Sequence, residues 1–322
     1  MARTVVGVLR GGTSSEYDLS LKTGAAILNA LPEDSYDTRD ILIDKSGLWH
    51  SRGMPVDPAR ALQQVDVVLS GLHGGVGEDG TVQRILDRAG IPYAGSSPLA
   101  SALSLNKIRA AQVLQHAGIK MPQSAAFVAH NGMDTGEMAR FVFSEFGPPY
   151  IVKPAHEGAS NGILIASSIV DLPDTLADVL DAYGAALVEQ YLDGEDASVG
   201  IIEDFRGEEV YALPPVHIIL PDNASILHFA HHMQGGHQHL VPSDFSRDEK
   251  KELVDMAKQA HRALGLSDFS RADFIVTKHG PYLLEVNSLP GLHEHASFPK
   301  MLESVGSSVR GFLEHVVGLA KR

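Results

Sequence analysis

Three side chains near the end of the sequence carry oxygens that could act on one ligand. Glu285 and Asn287 stand two residues apart after an apolar run, so in a strand both side chains point to the same face. Asp273 lies on a preceding strand-like segment, residues 270–277, and a tight turn between the two strands can bring it beside them. Such an all-oxygen set suits Mg²⁺ that also holds phosphates. The alternative is an ordinary hairpin with solvated carboxylates.

Glycine-rich loops follow two short apolar strands in the first hundred residues. Residues 5–9 form the first strand, and Glu16 stands in the first turn of the helix after its loop, where it could face a ligand or simply complement the helix dipole. Residues 65–70 form the second strand, and its loop carries His73 and Glu78. Loops at the carboxyl ends of parallel strands bind ligands in α/β sheets, so both are functional candidates. A flexible surface loop is the alternative.

A lysine-bearing strand in the middle of the chain runs into a loop of small residues. Residues 150–154 are the strand, with Lys153 on one face, and residues 155–162 are the loop before a second short strand. The backbone N–H groups of such a hairpin can cover phosphates while the lysine supplies charge, so we expect a lid. Residues 186–192, a largely apolar strand carrying Glu189, could hydrogen-bond an adenine edge with their backbone.

The remaining segments are read mainly as helices. Residues 98–117 are expected to form one helix, residues 246–264 an amphipathic helix, and residues 298–321 the closing helix. Between them, residues 219–242 form a long polar loop with five histidines, and loops of this length often serve as lids. The adjacent His231-His232 could bind a metal, but neighbouring loop histidines more often do not.

Composition limits the class of protein. The chain has 322 residues, enough for two or three domains, and a formal net charge of −14, which argues against a nucleic-acid partner. It has no cysteine, which excludes a thiol nucleophile, a disulfide framework and a zinc–thiolate site. No apolar run approaches membrane-spanning length and the N-terminus lacks the features of a signal peptide, so we expect a cytoplasmic enzyme.

Taken together, these segments resemble the ATP-grasp superfamily and, within it, the D-alanine–D-alanine ligases. The resemblance covers nearly the whole chain and rests on motifs that occur in one order. They are Gly11–Glu16 (GGTSSE), Leu72–Thr81 (LHGGVGEDGT), Val152–Pro154 (VKP) with Glu157–Gly158, Leu187–Tyr191 (LVEQY), Arg271–Asp273 (RAD) and Leu284–Gly291 (LEVNSLPG).

The resemblance implies an α/β fold of three domains. Residues 1–97 are expected to form a Rossmann-like substrate domain with a parallel sheet. Residues 98–186 form the small ATP-grasp lid domain, and residues 187–322 form the C-terminal ATP-grasp domain with the metal site. The implied activity is ADP-forming joining of two D-alanines through an acyl phosphate, for peptidoglycan precursor synthesis. ATP and Mg²⁺ (or Mn²⁺) are the implied cofactors, the partners are small-molecule substrates rather than nucleic acid or membrane, and we expect a homodimer.

The resemblance also assigns the site residues. Glu16 matches the group that holds the amine of the first D-alanine, and His73 lies beside its carboxylate. Arg271 and the Gly291 backbone match the donors that stabilise the acyl phosphate and the tetrahedral intermediate. The remaining positions are Asp273, Glu285 and Asn287 for the metal; Lys107, Lys153, Glu189, Leu192 and Asp196 for the nucleotide; and Glu78, Ser160, His232 and Ser297 for the substrates.

Three departures from the family pattern surround the second-substrate subsite. The paired serines of the lid read Ala159-Ser160, His231-His232 replaces a Lys-Tyr pair, and Ala296 replaces a serine that contacts the second D-alanine. The acceptor therefore stays open between D-alanine and another molecule such as D-lactate. A catalytically silent nucleotide-binding protein is a further alternative, although the intact metal and phosphate residues argue against it.

Overall fold

The computed structural model describes residues 3–130, 132–221 and 236–322, which form three β-sheets. The N-terminal sheet is parallel at its centre, where β1 pairs with β2 and β5, and β3 and β4 extend it with antiparallel strands. Its order is β4-β3-β2-β1-β5. The strands are β1 (Thr4–Gly11), β2 (Tyr36–Ile43), β3 (Trp49–Ser51), β4 (Met54–Pro55) and β5 (Val67–Ser70).

The second sheet has four antiparallel strands in the order β6-β9-β7-β8. The predicted hairpin is confirmed, because Val152 pairs with Leu164 across its two strands, and its role as a lid stays a prediction. The loop between these strands, residues 155–163, is called the lid loop below. The strands are β6 (Ser124–Val128), β7 (Tyr150–Pro154), β8 (Leu164–Ala166) and β9 (Ala185–Gln190).

The third sheet has six strands and contains the hairpin predicted to bind metal. Its path is β13-β12-β10-β14-β15, with β11 paired to β10, and all five of these strand pairs are antiparallel. The strands are β10 (Glu195–Phe205), β11 (Glu208–Ala212), β12 (Val216–Ile219), β13 (Gln238–Leu240), β14 (Phe269–Thr277) and β15 (Gly280–Asn287).

Helices cover the sheets and complete the cores. Apolar side chains of α7 and α8 pack in the core of the four-stranded sheet, and those of α5, α6 and α9 pack with the six-stranded sheet. Within the described ranges, no helix is both long enough and apolar enough to cross a membrane. The helices are α1 (Tyr17–Ala30), α2 (Pro58–Ala61), α3 (Gly75–Glu78), α4 (Thr81–Ala89), α5 (Pro98–Leu105), α6 (Lys107–His116), α7 (Thr135–Glu145), α8 (Leu172–Tyr183), α9 (Arg247–Ala263), α10 (Ser297–Ser304) and α11 (Val309–Ala320).

Two segments expected to be single helices are broken. The first breaks at Asn106, which is extended (φ −81°, ψ 95°) and caps α6 with its side chain, accepting from the backbone N–H of Arg109 at 3.0 Å. The predicted helix over residues 298–321 is wrong in the same way, because it is interrupted between Ser304 and Val309. The break at Asn106 matters for the site, because it places Lys107 at the first position of α6.

Gly11 is required where the first strand enters its loop. Its φ of +91° is left-handed, and a Cβ there would lie 2.1 Å from the carbonyl oxygen of Ile43. A side chain is therefore excluded at this position. The loop leads directly to the start of α1, where Ser15 and Glu16 meet the lid loop. Glu16 was predicted in the first turn of this helix, but it lies at the N-cap position, immediately before Tyr17.

The division into three domains stays a prediction. The predicted boundary at residues 186 and 187 falls inside β9, which pairs along its length with β6 and β7 of the four-stranded sheet. Apolar residues of α5 and α6 pack in the core of the six-stranded sheet.

Candidate active site

A cavity of about 600 Å³ is lined by residues of all three sheets and their loops. Every site residue predicted from the sequence that lies in the described ranges lines this cavity. His232 lies outside the described residues, as does His231, so both assignments stay predictions. The cavity-lining members of the predicted set are Glu16, His73, Glu78, Lys107, Lys153, Ser160, Glu189, Leu192, Asp196, Arg271, Asp273, Glu285, Asn287, Gly291 and Ser297.

The three predicted metal ligands lie together at the end of the β14–β15 hairpin. Asp273 is directly opposite Glu285 in the antiparallel register, next to an irregularity between Asp273 and Phe274. The side-chain amide of Asn287 donates to Asp273 Oδ2 at 2.8 Å, and the Ser198 hydroxyl donates to Oδ1 at 2.6 Å. The hairpin therefore places two carboxylates and one amide within reach of a single ligand.

Cationic side chains neutralise these carboxylates. Arg271 donates to both oxygens of Asp273, from Nε at 2.8 Å and from Nη2 at 2.7 Å. Lys107 forms an ion pair with Glu285. Burial opposes ionisation of Glu285, but Lys107 and then Lys153 oppose that effect and lower its pKa to about 2. Glu285 is therefore ionised throughout the physiological pH range.

The donor set fits a hard cation. Carboxylate and amide oxygens are the ligands that Mg²⁺ takes when substrate phosphates complete its coordination. Within the described ranges, no group of three or more histidine, cysteine or acidic side chains is arranged to hold a metal. The predicted set has only two carboxylates, Asp273 and Glu285, so it suits a metal shared with a phosphate better than one bound by protein alone.

The residues predicted to bind the nucleotide come from the four- and six-stranded sheets and adjacent segments, and they line the cavity. Lys153 on β7 and Glu189 on β9 are both buried, with Nζ and Oε2 2.5 Å apart. Leu192 follows the end of β9. Asp196 on β10 is mostly enclosed, and burial followed by repulsion from Asp273 raises its pKa to about 7.

Glu16 is buried beside the lid loop. Desolvation, followed by repulsion from Glu78, raises its pKa to about 8, although Lys107 opposes the shift. A Cβ on Gly158 would lie 2.4 Å from Glu16 Oε1, so a side chain at this position would require the Glu16 carboxyl to move. A neutral, enclosed carboxyl of this kind gains strongly from a cationic ligand such as an ammonium group.

His73 and Glu78 extend the site on the N-terminal side. His73 Nε2 lies 2.8 Å from the Thr23 hydroxyl, and burial followed by nearby His293 lowers its pKa to about 3, so the ring is neutral. Glu78 accepts from the Gly74 backbone N–H at 2.7 Å and from the Ser288 hydroxyl at 3.2 Å. These hydrogen bonds fix the glycine-rich loop against the end of β15.

The lid loop is held over the cavity by Glu157. This carboxylate accepts from the Ser15 hydroxyl at 2.7 Å and from the Asn161 amide at 2.9 Å. The next two side-chain positions, Ala159 and Ser160, have φ of 46° and 58°, which is left-handed and uncommon for residues with a Cβ. The lid therefore contacts the N-terminal unit directly at the Ser15–Glu157 hydrogen bond.

Sequence reasoning missed several residues of this site. Ser198 and Ser15 make their contacts through tertiary packing. Ser198 stands in no distinctive pattern, and Ser15 was given no role in the site although it lies within the Gly11–Glu16 motif. His293 also lines the cavity, and it was detectable as a histidine two residues after the closing motif, which ends at Gly291. Ser297 was predicted, and the structure places it at the first position of α10, where it is buried.

Solved structures with this architecture extend over nearly the whole chain. A D-Ala:D-Ser ligase from Enterococcus faecalis shares 25% identity and a TM-score of 0.85, covering 99% of this chain and 100% of its own. A D-alanyl-alanine synthetase A from Vibrio cholerae shares 25% identity and a TM-score of 0.86, covering 100% and 99%. The fold and the cavity therefore define an ATP-dependent ligase of the ATP-grasp type.

Sequence comparisons narrow the class to one family. Residues 50–96 match the family model described as D-ala D-ala ligase N-terminus, and residues 113–318 match D-ala D-ala ligase C-terminus. A D-alanine–D-alanine ligase from Geotalea uraniireducens is 35% identical over 98% of this chain and 95% of its own length. The corresponding ligase from Geobacter sulfurreducens is 36% identical over 98% and 93%. The chain belongs to the D-alanine–D-alanine ligase family.

Proposed function

We propose that this chain joins two D-alanines with conversion of ATP to ADP and phosphate, supplying a dipeptide for peptidoglycan synthesis. The proposal rests on one cavity. Its lining combines the enclosed carboxyl of Glu16 with the cations and carboxylates that are predicted to bind phosphate and metal. Family membership gives the reaction class. For each step of that reaction, the cavity contains a side chain or backbone group of suitable chemistry.

The first D-alanine binds between Glu16 and His73 in this scheme. Its ammonium displaces the proton of Glu16 and forms an ion pair in the enclosed pocket, where such a pair is strong. His73, held neutral by burial, lies near the carboxylate without adding charge. The carboxylate is left directed toward the nucleotide.

A carboxylate is a poor acyl donor and must first be phosphorylated. One carboxylate oxygen attacks the γ-phosphorus of ATP, the bond to the β-phosphate oxygen breaks, and ADP leaves. Lys107 and Lys153 position the phosphates and offset their charge. Asp273, Glu285 and Asn287 would hold Mg²⁺, which supplies further neutralisation of phosphate charge when bound.

The second D-alanine then attacks the acyl phosphate with its amine. The carbonyl oxygen becomes an oxyanion, which the Arg271 guanidinium and the Gly291 N–H are suited to stabilise. Collapse of this intermediate forms the amide bond and releases phosphate, while the amine loses its proton. The scheme needs no covalent enzyme nucleophile, in keeping with a chain that has no cysteine.

An ADP-release assay across a panel of D-amino acids and D-hydroxy acids, with product masses measured, tests the proposal. D-Alanine alone should support release and yield the dipeptide. A second candidate acceptor deserves a place in the panel, because the chain resembles a D-Ala:D-Ser ligase. Panels containing D-serine or D-lactate beside D-alanine distinguish these acceptors. A protein that binds ATP but releases no ADP with any member would be a silent relative.

The proposal extends to the organisation of the protein. We infer a homodimer, cytoplasmic localisation, and three functional domains over residues 1–97, 98–186 and 187–322. Light scattering of the purified chain tests the oligomeric state. Limited proteolysis with and without ATP tests the domain boundaries, because cleavage should concentrate between domains and decrease when nucleotide closes the cleft.

A further inference from the structure

Asn106 joins the start of α6 to the lid loop through the two halves of one side-chain amide. Its Oδ1 accepts from the backbone N–H of Arg109 at 3.0 Å and so caps the helix. Its Nδ2 lies 3.0 Å from Nε2 of His156, which belongs to the lid loop. Neither Asn106 nor His156 has a role in the scheme above, although the helix that Asn106 caps begins with Lys107.

The cap bond decides which hydrogen bond the other half of the amide can make. Because Oδ1 of Asn106 faces Arg109, the group that faces His156 is the side-chain NH2, which can only donate. Nε2 of His156 must therefore accept, and this requires a neutral ring with its proton on Nδ1. In a charged ring both nitrogens carry a proton, so two donors would face each other and the contact would be lost.

A second hydrogen bond links α6 to the lid loop beside the first. The backbone N–H of Lys107 donates to the carbonyl oxygen of Ala155 at 2.9 Å. Two consecutive residues at the start of α6 thus contact two consecutive residues at the start of the lid loop. The Lys107 side chain lines the cavity and pairs with Glu285. The position of the lid loop and the position of Lys107 are therefore linked at this point.

The ionisable side chains that flank this contact have partners of their own. On the lid loop, Glu157 accepts from a serine hydroxyl and an asparagine amide. On α6, Lys107 pairs with an acid, and Arg109 donates to a glutamine on the same helix. From the start of α1, Glu16 meets the lid loop two residues beyond His156, which is itself exposed. A comparison of variants at equal pH leaves all of these flanking groups in place and isolates the His156 ring.

We propose that Asn106 is a positioning residue that ties the lid loop to the helix carrying Lys107 while the ring of His156 is neutral. The lid loop and Lys107 then reach the phosphates of a nucleoside triphosphate as one unit. The inference rests on the proposed function, because it assigns the contact to the ATP-bound enzyme. ATP should therefore bind more weakly when His156 is charged or when the amide of Asn106 is removed.

Three residue types at position 106 keep the helix cap and change only the group that faces His156. Asparagine, serine and aspartate are all favoured N-cap residues. Asn106→Ser keeps a hydroxyl for the cap, but the side chain is too short to reach the ring. Asn106→Asp keeps the cap and presents a carboxylate oxygen, which accepts from a ring N–H and binds the charged ring best. The two variants therefore separate the lid contact from the cap.

The affinity for a non-hydrolysable ATP analogue with Mg²⁺ tests the proposal. It is measured by calorimetry from about pH 5.5 to about pH 8.5, the range in which histidine side chains change charge. At the upper end, Asn106→Ser should bind about two- to tenfold more weakly than wild type, the effect of losing one neutral hydrogen bond. At the lower end this ratio should approach one, because the charged ring has already broken the contact in wild type. Asn106→Asp should show the opposite trend and bind more tightly than Asn106→Ser at the lower end.

His156→Ala removes the ring without touching the cap, and it should match Asn106→Ser at each pH. His116→Ala is the control, since His116 is an exposed histidine at the other end of α6, and it should match wild type. Equal affinities in wild type, Asn106→Ser and His156→Ala at every pH would overturn the proposal. A loss of affinity in Asn106→Ser that is the same at every pH would also overturn it.

The series also separates this inference from the proposed function, because the affinity does not depend on turnover. A wild-type chain that binds the analogue but forms no dipeptide would overturn only the proposed function, and the Asn106 series would still decide the inference. A wild-type chain that does not bind the analogue would overturn both.

Discussion

Lys107 at the start of α6 pairs with Glu285 near the end of β15, although the two residues are 178 positions apart. The contact joins a lysine assigned to the nucleotide with a carboxylate assigned to the metal. Glu285 is therefore ionised before any ligand binds, and Lys107 is held at the point where the phosphates would meet the metal. Each residue should affect catalysis more than stability, because both also face the cavity.

Glu285→Gln should reduce turnover by about 100-fold or more, the scale of losing an electrostatic group that acts on the transition state. The amide keeps the shape of the side chain but loses the charge that pairs with Lys107. ADP release at saturating substrate measures the effect, and a thermal unfolding curve checks the fold. Glu303→Gln, an exposed carboxylate paired with Lys300, is the control. Near-normal turnover in Glu285→Gln would refute the metal assignment.

Lys153→Ala should weaken ATP binding and slow turnover without changing the acceptor that is used. Lys153 is buried against Glu189, and its loss removes charge from the phosphate side of the cavity. Calorimetric titration with a non-hydrolysable ATP analogue gives the affinity, and Lys251→Ala is the control because Lys251 is largely exposed. Unchanged affinity and rate would make Lys153 a structural lysine.

Glu16 should make stability depend on pH in a defined direction. Its folded pKa is raised to about 8 from an ordinary 4.5, so between these values the folded protein binds a proton that the unfolded chain has lost. The free energy of unfolding should therefore decrease as pH rises through this window, by at most about 1.4 kcal/mol per pH unit.

Glu16→Gln removes the titrating group and tests this dependence. The stability of the variant relative to the wild type should increase from about pH 5 to about pH 8 and level off above it. Urea unfolding in metal-free buffer at several pH values provides the measurement. A stability difference that stays constant across this range would show that Glu16 ionises normally.

The Ser15–Glu157 hydrogen bond should hold the lid loop against the N-terminal unit. Ser15→Ala removes the donor, so amide hydrogen exchange in residues 157–163 should become faster, with a change in global stability of only about 1 kcal/mol. Ser46→Ala is the control, since its hydroxyl bonds Asp44 away from the lid. Identical exchange in Ser15→Ala and wild type would show that other contacts hold the loop.

Local patterns in the sequence predicted much of the fold. The alternation around Asp273 and Glu285 identified the hairpin, and the lysine strand before a small-residue loop identified the lid. The helix break at Asn106 was missed, because the apolar pattern continues across it, although asparagine is a favoured N-cap residue.

The contacts that complete the site could not be predicted in this way. The pairing of Lys107 with Glu285, and of Ser15 with Glu157, depends on how separate units pack, which no local spacing encodes. The family resemblance supplied site positions that patterns alone left open, and the structure places those in the described ranges around one cavity.

The most direct test of the account is the stoichiometry of ATP use with D-alanine alone. Purified enzyme with ATP, Mg²⁺ and D-alanine should release one ADP for each D-alanyl-D-alanine formed, and L-alanine in its place should give neither product. ADP and dipeptide are quantified in the same samples by mass spectrometry. ADP release without dipeptide would contradict the proposed ligase activity. So would the absence of dipeptide from every sample in which the enzyme binds ATP.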